Sequence, residues 1–275
     1  MFNFLNKKPY RIGVAFSGGG ARGFAHAGAM KALTELGIKP DIVAGVSAGS
    51  VVAVLTAGGM APEKIVELFA GLKFSDLTSL CVPKNGFFEM DGFKRLIAAH
   101  VPAKRLEDLP LKTVVCATDI DNGCPHAFET GDIAEVVAAS CSIPIIFKPA
   151  KIDGIRYIDG GVLHNLPAWA IRERCKYLIG LNCSPLPKRR YKDTLLDMAH
   201  ASYNMAVKSN INQDLAICDI AIDMAQVAEY KVFNLKEITK VFRQGYNAAM
   251  STMMAAGFAP HKGGDISSPT ASSKK

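Results

Sequence analysis

The sequence predicts an α/β protein: a mostly parallel central sheet sandwiched between helices, with a helical C-terminal third. Three observations carry that expectation. Short apolar runs of strand length alternate with helical patterns through the first half of the 275-residue chain. Glycine-rich turns of a few residues join them. The composition, 49% hydrophobic and 21% charged, belongs to a globular chain rather than a disordered or fibrous one.

Taken in order, RIGVAFS (11–17) reads as a buried strand, GGGARG as a turn, and FAHAGAMKALTELG (24–37) as a helix closed by Gly37. DIVAGV (41–46) is a second strand and AGSVVAVLTAGG a second helix, completing a βαβ signal for a parallel sheet. Pro62 suits the first turn of the helix PEKIVELFAGL. Residues 73–90 read as irregular. LKTVVCATDI (111–120) is a strong strand, CPHAFET a weaker one, and DIAEVVAAS a helix with Asp132 as its cap. Asp153-Gly154 is a two-residue hairpin signal that sends Tyr157 to Asp159 along a returning strand. KYLIGLNCS (176–184) is the last clear strand, and residues 193–256 read as mostly helical without a repeat, their six Met expected to fill core.

Residues 1–259 are expected to form one domain, and 260–275, HKGGDISSPTASSKK after Pro260, a disordered tail with little to bury. The charge of +7 and pI of about 9.0 suit solubility first. The densest basic run, Lys188 to Lys192, has no interleaved aromatics that would suggest nucleic acid; if it binds anything, anionic lipid headgroups are the better-motivated partner. Seven cysteines, an odd number without a CxxC pair, suggest free thiols in a reducing compartment. The N-terminus lacks the apolar core of a signal peptide, and the uncharged stretch 45–61 is glycine-rich and too short to span a bilayer. A cytoplasmic protein is expected, with any membrane contact peripheral.

Two turns carry chemistry. Gly45-Val46-Ser47-Ala48-Gly49 is a G-x-S-x-G between a predicted strand and a predicted helix, the setting of a nucleophile elbow. Gly45, Ala48 and Gly49 are small enough for strand and helix to approach closely there. A glycine- and serine-rich turn capping a helix would give the same pentapeptide. Gly18-Gly19-Gly20-Ala21-Arg22-Gly23 begins the first helix, and its exposed amides make an anion site of the kind an acyl-transfer enzyme needs for its oxyanion. Both turns follow strands of a parallel sheet, so both emerge at its carboxyl edge. Gly18, Gly20 and Gly23 also fit the dinucleotide fingerprint G-x-G-x-x-G. Its acidic partner would be Asp41, which precedes the second strand and so falls at the opposite edge.

A serine nucleophile needs a base, and none of the six His is placed by sequence as its partner. The other candidate is Asp159, in Asp159-Gly160-Gly161, where a strand ends in two glycines. A plain turn explains that tripeptide alone. Together, GGGARG, GVSAGS and YIDGGVLHNLP resemble the patatin-like phospholipases from about Arg11 to Pro167. The resemblance implies a three-layer fold and a Ser-Asp dyad. Ser47 would attack the ester and Asp159 move its proton. Gly18, Gly19 and Gly20 would form the oxyanion hole, and Arg22 would order that turn or a substrate headgroup. Gly45, Gly49, Gly160 and Gly161 would support the loops. Asp119 in ATDID and the ASCSIP segment resemble family framework. No metal or other cofactor is implied.

The expected function is lipid acyl ester hydrolysis, a phospholipase A or lysophospholipase-type activity. An acyltransferase or thioesterase on the same intermediate, or an idle lipid-binding module, are the alternatives. The helical C-terminal third could line an acyl channel, pair subunits or dock on a membrane. Phe87, Phe88 and Met90 are expected either to form an apolar lip or to tuck into the core.

Overall fold

The computed structural model describes residues 8–81, 86–185 and 193–259. The basic run Lys188 to Lys192 and the tail 260–275 lie outside the described residues. Strand β1 (Tyr10–Phe16) leads through a 3-10 turn (Gly20–Gly23) into α1 (Phe24–Glu35), and β2 (Ile42–Val46) into α2 (Ala48–Ala57). There follow α3 (Pro62–Phe69), α4 (Phe74–Leu77), β3 (Ser79–Leu80), β4 (Gly86–Glu89), α5 (Asp91–His100), β5 (Lys112–Asp119), β6 (Cys124–Phe128) and α6 (Ile133–Ser140). Then come β7 (Ile145–Phe147), β8 (Ala150–Ile152), β9 (Ile155–Asp159), β10 (Cys175–Asn182), α7 (Leu195–Ala216), β11 (Ile220–Asp223) and α8 (Ile238–Ala255).

Local signals act as expected. Gly37 takes φ +73° just past α1, Asp132 accepts the Glu135 amide at the start of α6, and Asp153 and Gly154 both take positive φ in the β8–β9 hairpin.

The main sheet runs β11-β10-β1-β2-β5-β9-β8, with β6 also paired to β5. Strands β11, β10, β1, β2 and β5 are mutually parallel, and β6, β9 and β8 join antiparallel. Alternate side chains enter two cores. Val14, Phe16, Val43 and Val115 meet α1, α2, α6 and α8, whereas Ala15, Ile42, Ala44 and Val114 meet Leu166, Ile171 and Ile211 of α7 on the other face.

Helices α1 and α8 cross at van der Waals distance through glycine. A Cβ on Gly28 would lie 1.9 Å from the Phe242 carbonyl oxygen, and one on Gly245 would lie 1.9 Å from that of Ala25.

Two readings need correction. Residues 73–90 are not irregular throughout: β3 and β4 form a small sheet completed by β7, whose pairing partner lies some 60 positions away in sequence and leaves no local period to read. The C-terminal third is mostly helical, as expected, with Ile220–Asp223 added as β11 beside β10, but its methionines do not all fill core: Met224 and Met253 are fully buried, while Met198, Met205 and Met254 are more than half exposed.

The register around β5 positions the site. Val115 and Cys116 bridge to both β2 and β6, and residues 117–119 to both β6 and β9. A strand has two edges, so β2 and β9 share the edge opposite β6 and run toward each other along it. Their ends meet at neighbouring positions of β5, Val46 opposite Cys116 and Asp159 opposite Ala117.

Candidate active site

Ser47 follows Val46 directly and stands at φ 52°, ψ −128°, a conformation that costs a non-glycine residue about 1–3 kcal/mol. The surroundings over-determine it. Its amide donates to Ser140 Oγ at 2.8 Å, and that hydroxyl donates to the Cys116 carbonyl at 2.6 Å. Its own carbonyl accepts the Ser50 amide and hydroxyl at 2.8 and 2.6 Å. Gly45 and Gly49 are required by proximity: a Cβ on Gly45 would sit 2.5 Å from the Gly49 carbonyl, and one on Gly49 would sit 2.3 Å from that of Phe16. The first-turn amides of α2, which no helical carbonyl can reach, lie beside the serine and place the positive end of the helix there.

Asp159 is wholly buried. Its Oδ1 accepts the Gly161 amide at 2.8 Å, while Oδ2 has no fully formed hydrogen bond. Burial raises the carboxyl from its ordinary 3.8 to about 6; the hydroxyl of Ser47, the Gly161 amide and the hydroxyl of Tyr203 pull it back down. Gly160 continues the turn, its carbonyl accepting the amides of Leu163 and His164.

The glycine turn divides its labour. Gly18 N–H donates to the Asn165 carbonyl at 3.0 Å, and its carbonyl accepts Ser184 Oγ at 2.5 Å. Of the three glycines expected at the oxyanion hole, Gly18 thus has both its amide and its carbonyl engaged by neighbouring residues. The amides of Gly19 and Gly20 find no acceptor among the described residues, and both glycines line a pocket with Ser47. Arg22 is nine-tenths buried, and its guanidinium donates to the carbonyls of Tyr230, Ala228 and Pro185 at 2.8, 2.8 and 3.2 Å. These bonds tie Arg22, just past the three glycines, to Pro185 and to residues 228–230.

Ser47 stands where two spaces join. One is an apolar cavity of about 140 Å³, walled by Phe24, Val51, Phe69, Met90, Phe93 and Phe147. The other is a smaller and relatively more polar pocket of about 30 Å³, where Gly19, Gly20, Asn165, Ser184 and Tyr203 meet Ile143, Val207, Val232 and Phe233. Met90 thus faces the cavity, whereas Phe88 packs against the core and Phe87 is partly buried in β4.

Four histidines have described side chains, and none lines either space. His26 is buried in α1 with Nε2 2.8 Å from the Ser17 carbonyl oxygen, and burial depresses it to about 4. His164 pairs with Asp214, His100 contacts the Leu96 carbonyl, and His126 packs on Phe128 and Tyr157. Asp41 accepts the amides of Arg11 and Ile12, at the sheet edge away from the glycine turn. Asp119 accepts two backbone amides and Asn122, and Asp121 pairs with Arg156. No group of three metal-ligating side chains occurs among the described residues. All seven thiols are unpaired, four of them buried.

Sequence reasoning missed two residues of the site. Asn165, 1% exposed and with Nδ2 unpartnered, stands inside the quoted YIDGGVLHNLP motif and was legible as polar but not as a wall of the pocket. Tyr203 comes from the middle of α7, a stretch without any local motif.

A serine on a strained elbow, a buried carboxylate beside it and an apolar cavity in front define an α/β protein equipped for acyl-ester chemistry. The chain belongs to the patatin-like phospholipase family, whose description matches residues 14–171. It is 31% identical over 217 residues to the uncharacterized protein YqhO of Bacillus subtilis, covering 66% of this chain and 74% of that one. It is 30% identical over 194 residues to the lysophospholipase NTE1 of Saccharomyces cerevisiae, covering 67% of this chain but 12% of that far longer protein. In fold it is similar to VipD of Legionella pneumophila, with a TM-score of 0.55 at 16% identity, over 90% of this chain and 67% of that one.

Proposed function

We propose that the protein is a serine lipid acyl hydrolase, acting on phospholipids, lysophospholipids or related fatty acyl esters through Ser47 and Asp159. The observation that carries this reading is the convergence of β2 and β9 on one edge of β5, which sets the buried Asp159 behind Ser47, itself a wall of the apolar cavity. Membership of the phospholipase family, and similarity to a lysophospholipase, support the lipid substrate.

In this mechanism the acyl chain enters the cavity and the ester carbonyl lies over Ser47. Asp159, ionised above about pH 6, takes the Ser47 proton as Oγ attacks the carbonyl carbon. The Gly19 and Gly20 amides and the α2 terminus receive the oxyanion. Collapse breaks the ester C–O bond, and the proton on Asp159 passes to the departing alcohol. A water then gives its proton to Asp159 and its oxygen to the acyl carbon, and the proton returns to Ser47 as the fatty acid leaves.

Residues 1–259 are read as one catalytic domain working in the cytoplasm. Among the described residues no helix is long and apolar enough to cross a membrane. Leu195, Met198 and Met205 are exposed along α7, and Phe233 is exposed at the rim of the polar pocket, which favours peripheral contact with a lipid surface.

A fluorophosphonate probe is expected to add its mass to Ser47, and Ser47→Ala to abolish labelling and lipid hydrolysis together. Hydrolysis surviving in Ser47→Ala would overturn the reading. Added alcohol or thiol acceptors distinguish a transferase by the product formed, and vesicle binding without labelling marks an idle module.

A further inference from the structure

Helix α7 is fastened to the loop that follows Asp159 by one of its faces. Asn210 Oδ1 accepts the Asn165 amide at 2.9 Å, while its Nδ2 donates to the carbonyls of Gly161 and Val162 at 3.0 and 3.3 Å. One turn on, Asp214 lies 3.0 Å from His164 Nδ1, and Asp214 is itself buried. Two turns back on the same face, at spacings of seven and eleven residues, stands Tyr203. Its hydroxyl reaches the Asp159 turn: a Cβ placed on Gly161 would lie 2.6 Å from Tyr203 Oη and 3.1 Å from Asp159 Oδ1. The same side chain lines the polar pocket with Ser47. A phenol O–H beside a buried carboxylate has one favourable use, which is to donate to it.

We propose that Tyr203 is a positioning residue of the dyad, its hydroxyl donating to the Asp159 carboxylate and, with the Gly161 amide, holding that carboxylate toward Ser47. The proposal rests on the Ser47–Asp159 reading. It gives the C-terminal third a part in catalysis that the family-matched segment, which ends at residue 171, does not supply. The other groups facing the carboxyl are the Ser47 hydroxyl and the Cys141 thiol, and burial raises that thiol well above the usual range. Arg22 lines the same pocket with its guanidinium turned to backbone carbonyls. Tyr203 itself is pushed well above its ordinary value, by burial first and then by the charge of Asp159, so it stays protonated and remains a donor.

A donor that stabilises the ionised form of Asp159 must lower its pKa, and removing that donor must raise it. The test is the rate of fluorophosphonate labelling at Ser47, followed from pH 5 to 9. For the wild type a limb near pH 6 is expected, where Asp159 ionises. In Tyr203→Phe the limb moves up by about one pH unit, so that the rate falls about fivefold at pH 6 and hardly at all at pH 8.5. A merely structural loss lowers the rate equally at every pH. Replacing Tyr203 by 3-fluorotyrosine keeps the packing and strengthens the donor, so the limb moves down. That arm also covers the event that Tyr203→Phe does not fold. An unmoved limb in a folded Tyr203→Phe, or in the fluorotyrosine protein, overturns the role of Tyr203 and leaves the dyad standing. A wild type without labelling at Ser47, or without the limb, overturns both.

Discussion

The replacement Asp159→Asn separates the carboxylate's catalytic value from its cost to the fold. Asn keeps the shape, can still accept the Gly161 amide, and can turn its NH₂ to the neighbouring hydroxyls. What disappears is a buried charge. Burial raises Asp159 from 3.8 to about 6, so the folded protein resists an ionisation that the unfolded chain undergoes freely. As pH rises from below 3.8, the unfolded state loses this proton first and stability falls until the folded group ionises near 6. At 1.36 kcal/mol per pKa unit the loss is about 3 kcal/mol and is complete above that pH. Relieved of it, Asp159→Asn is expected to melt higher than the wild type at pH 8, by about 6–12 °C for a chain of this size. The gap should shrink by about half at pH 5, where the wild-type carboxyl is largely protonated. Esterase activity falls about a thousandfold in the same variant, because the base is gone. Scanning calorimetry of both proteins at pH 5 and 8 gives the numbers. A melting difference that stays constant between the two pH values, or one that grows toward pH 5, refutes the reasoning.

Three further outcomes follow from residues already described. His26, depressed by burial to about 4, stays neutral in the fold while the unfolded chain protonates near 6.5, so stability is lost as pH falls between those values. Urea midpoints should show the wild type losing about 2 kcal/mol from pH 7 to 5 through this group, a slope absent from His26→Leu. Gly245→Ala drives a Cβ to 1.9 Å from the Ala25 carbonyl oxygen at the α1–α8 crossing, and a loss of at least about 1–3 kcal/mol without change in m-value is expected in urea. Val51→Phe fills part of the apolar cavity, and kcat/KM for a long-chain ester relative to a short-chain one should drop about tenfold.

What was legible in the sequence is what short-range geometry dictates. Gly45 and Gly49 flank Ser47 because strand and helix touch there, and the consecutive glycines at 18–20 mark a turn whose backbone faces open space. The Asp153-Gly154 turn announces the strand that delivers Asp159. The features that escaped depend on partners far along the chain. Strand β7 is recognisable only by its pairing with β4, and β11 is a four-residue strip that only β10 makes into a strand. The use of the Gly18 amide is equally invisible, since its acceptor is the carbonyl of Asn165, about 150 positions away. Tyr203 belongs to the same class: its value comes from a carboxylate that another element carries.

The direction of β9 explains why so slight a signal as Asp-Gly matters. Ser47 follows the carboxyl end of β2, and Asp159 is the last residue of β9. Two strand ends of the same polarity can meet head-on along one edge of β5 only if the strands run in opposite directions, so β9 must be antiparallel to β2. The β8–β9 hairpin supplies that reversal in two residues, and its turn sets the register in which Ile152 opposes Ile155. Because side chains alternate, a slip of one residue would turn Asp159 to the opposite face of the sheet and away from the serine. The carboxylate thus owes its place to a turn six residues back and its orientation to contacts at its own end, with the Gly161 amide and, by our proposal, the hydroxyl of Tyr203.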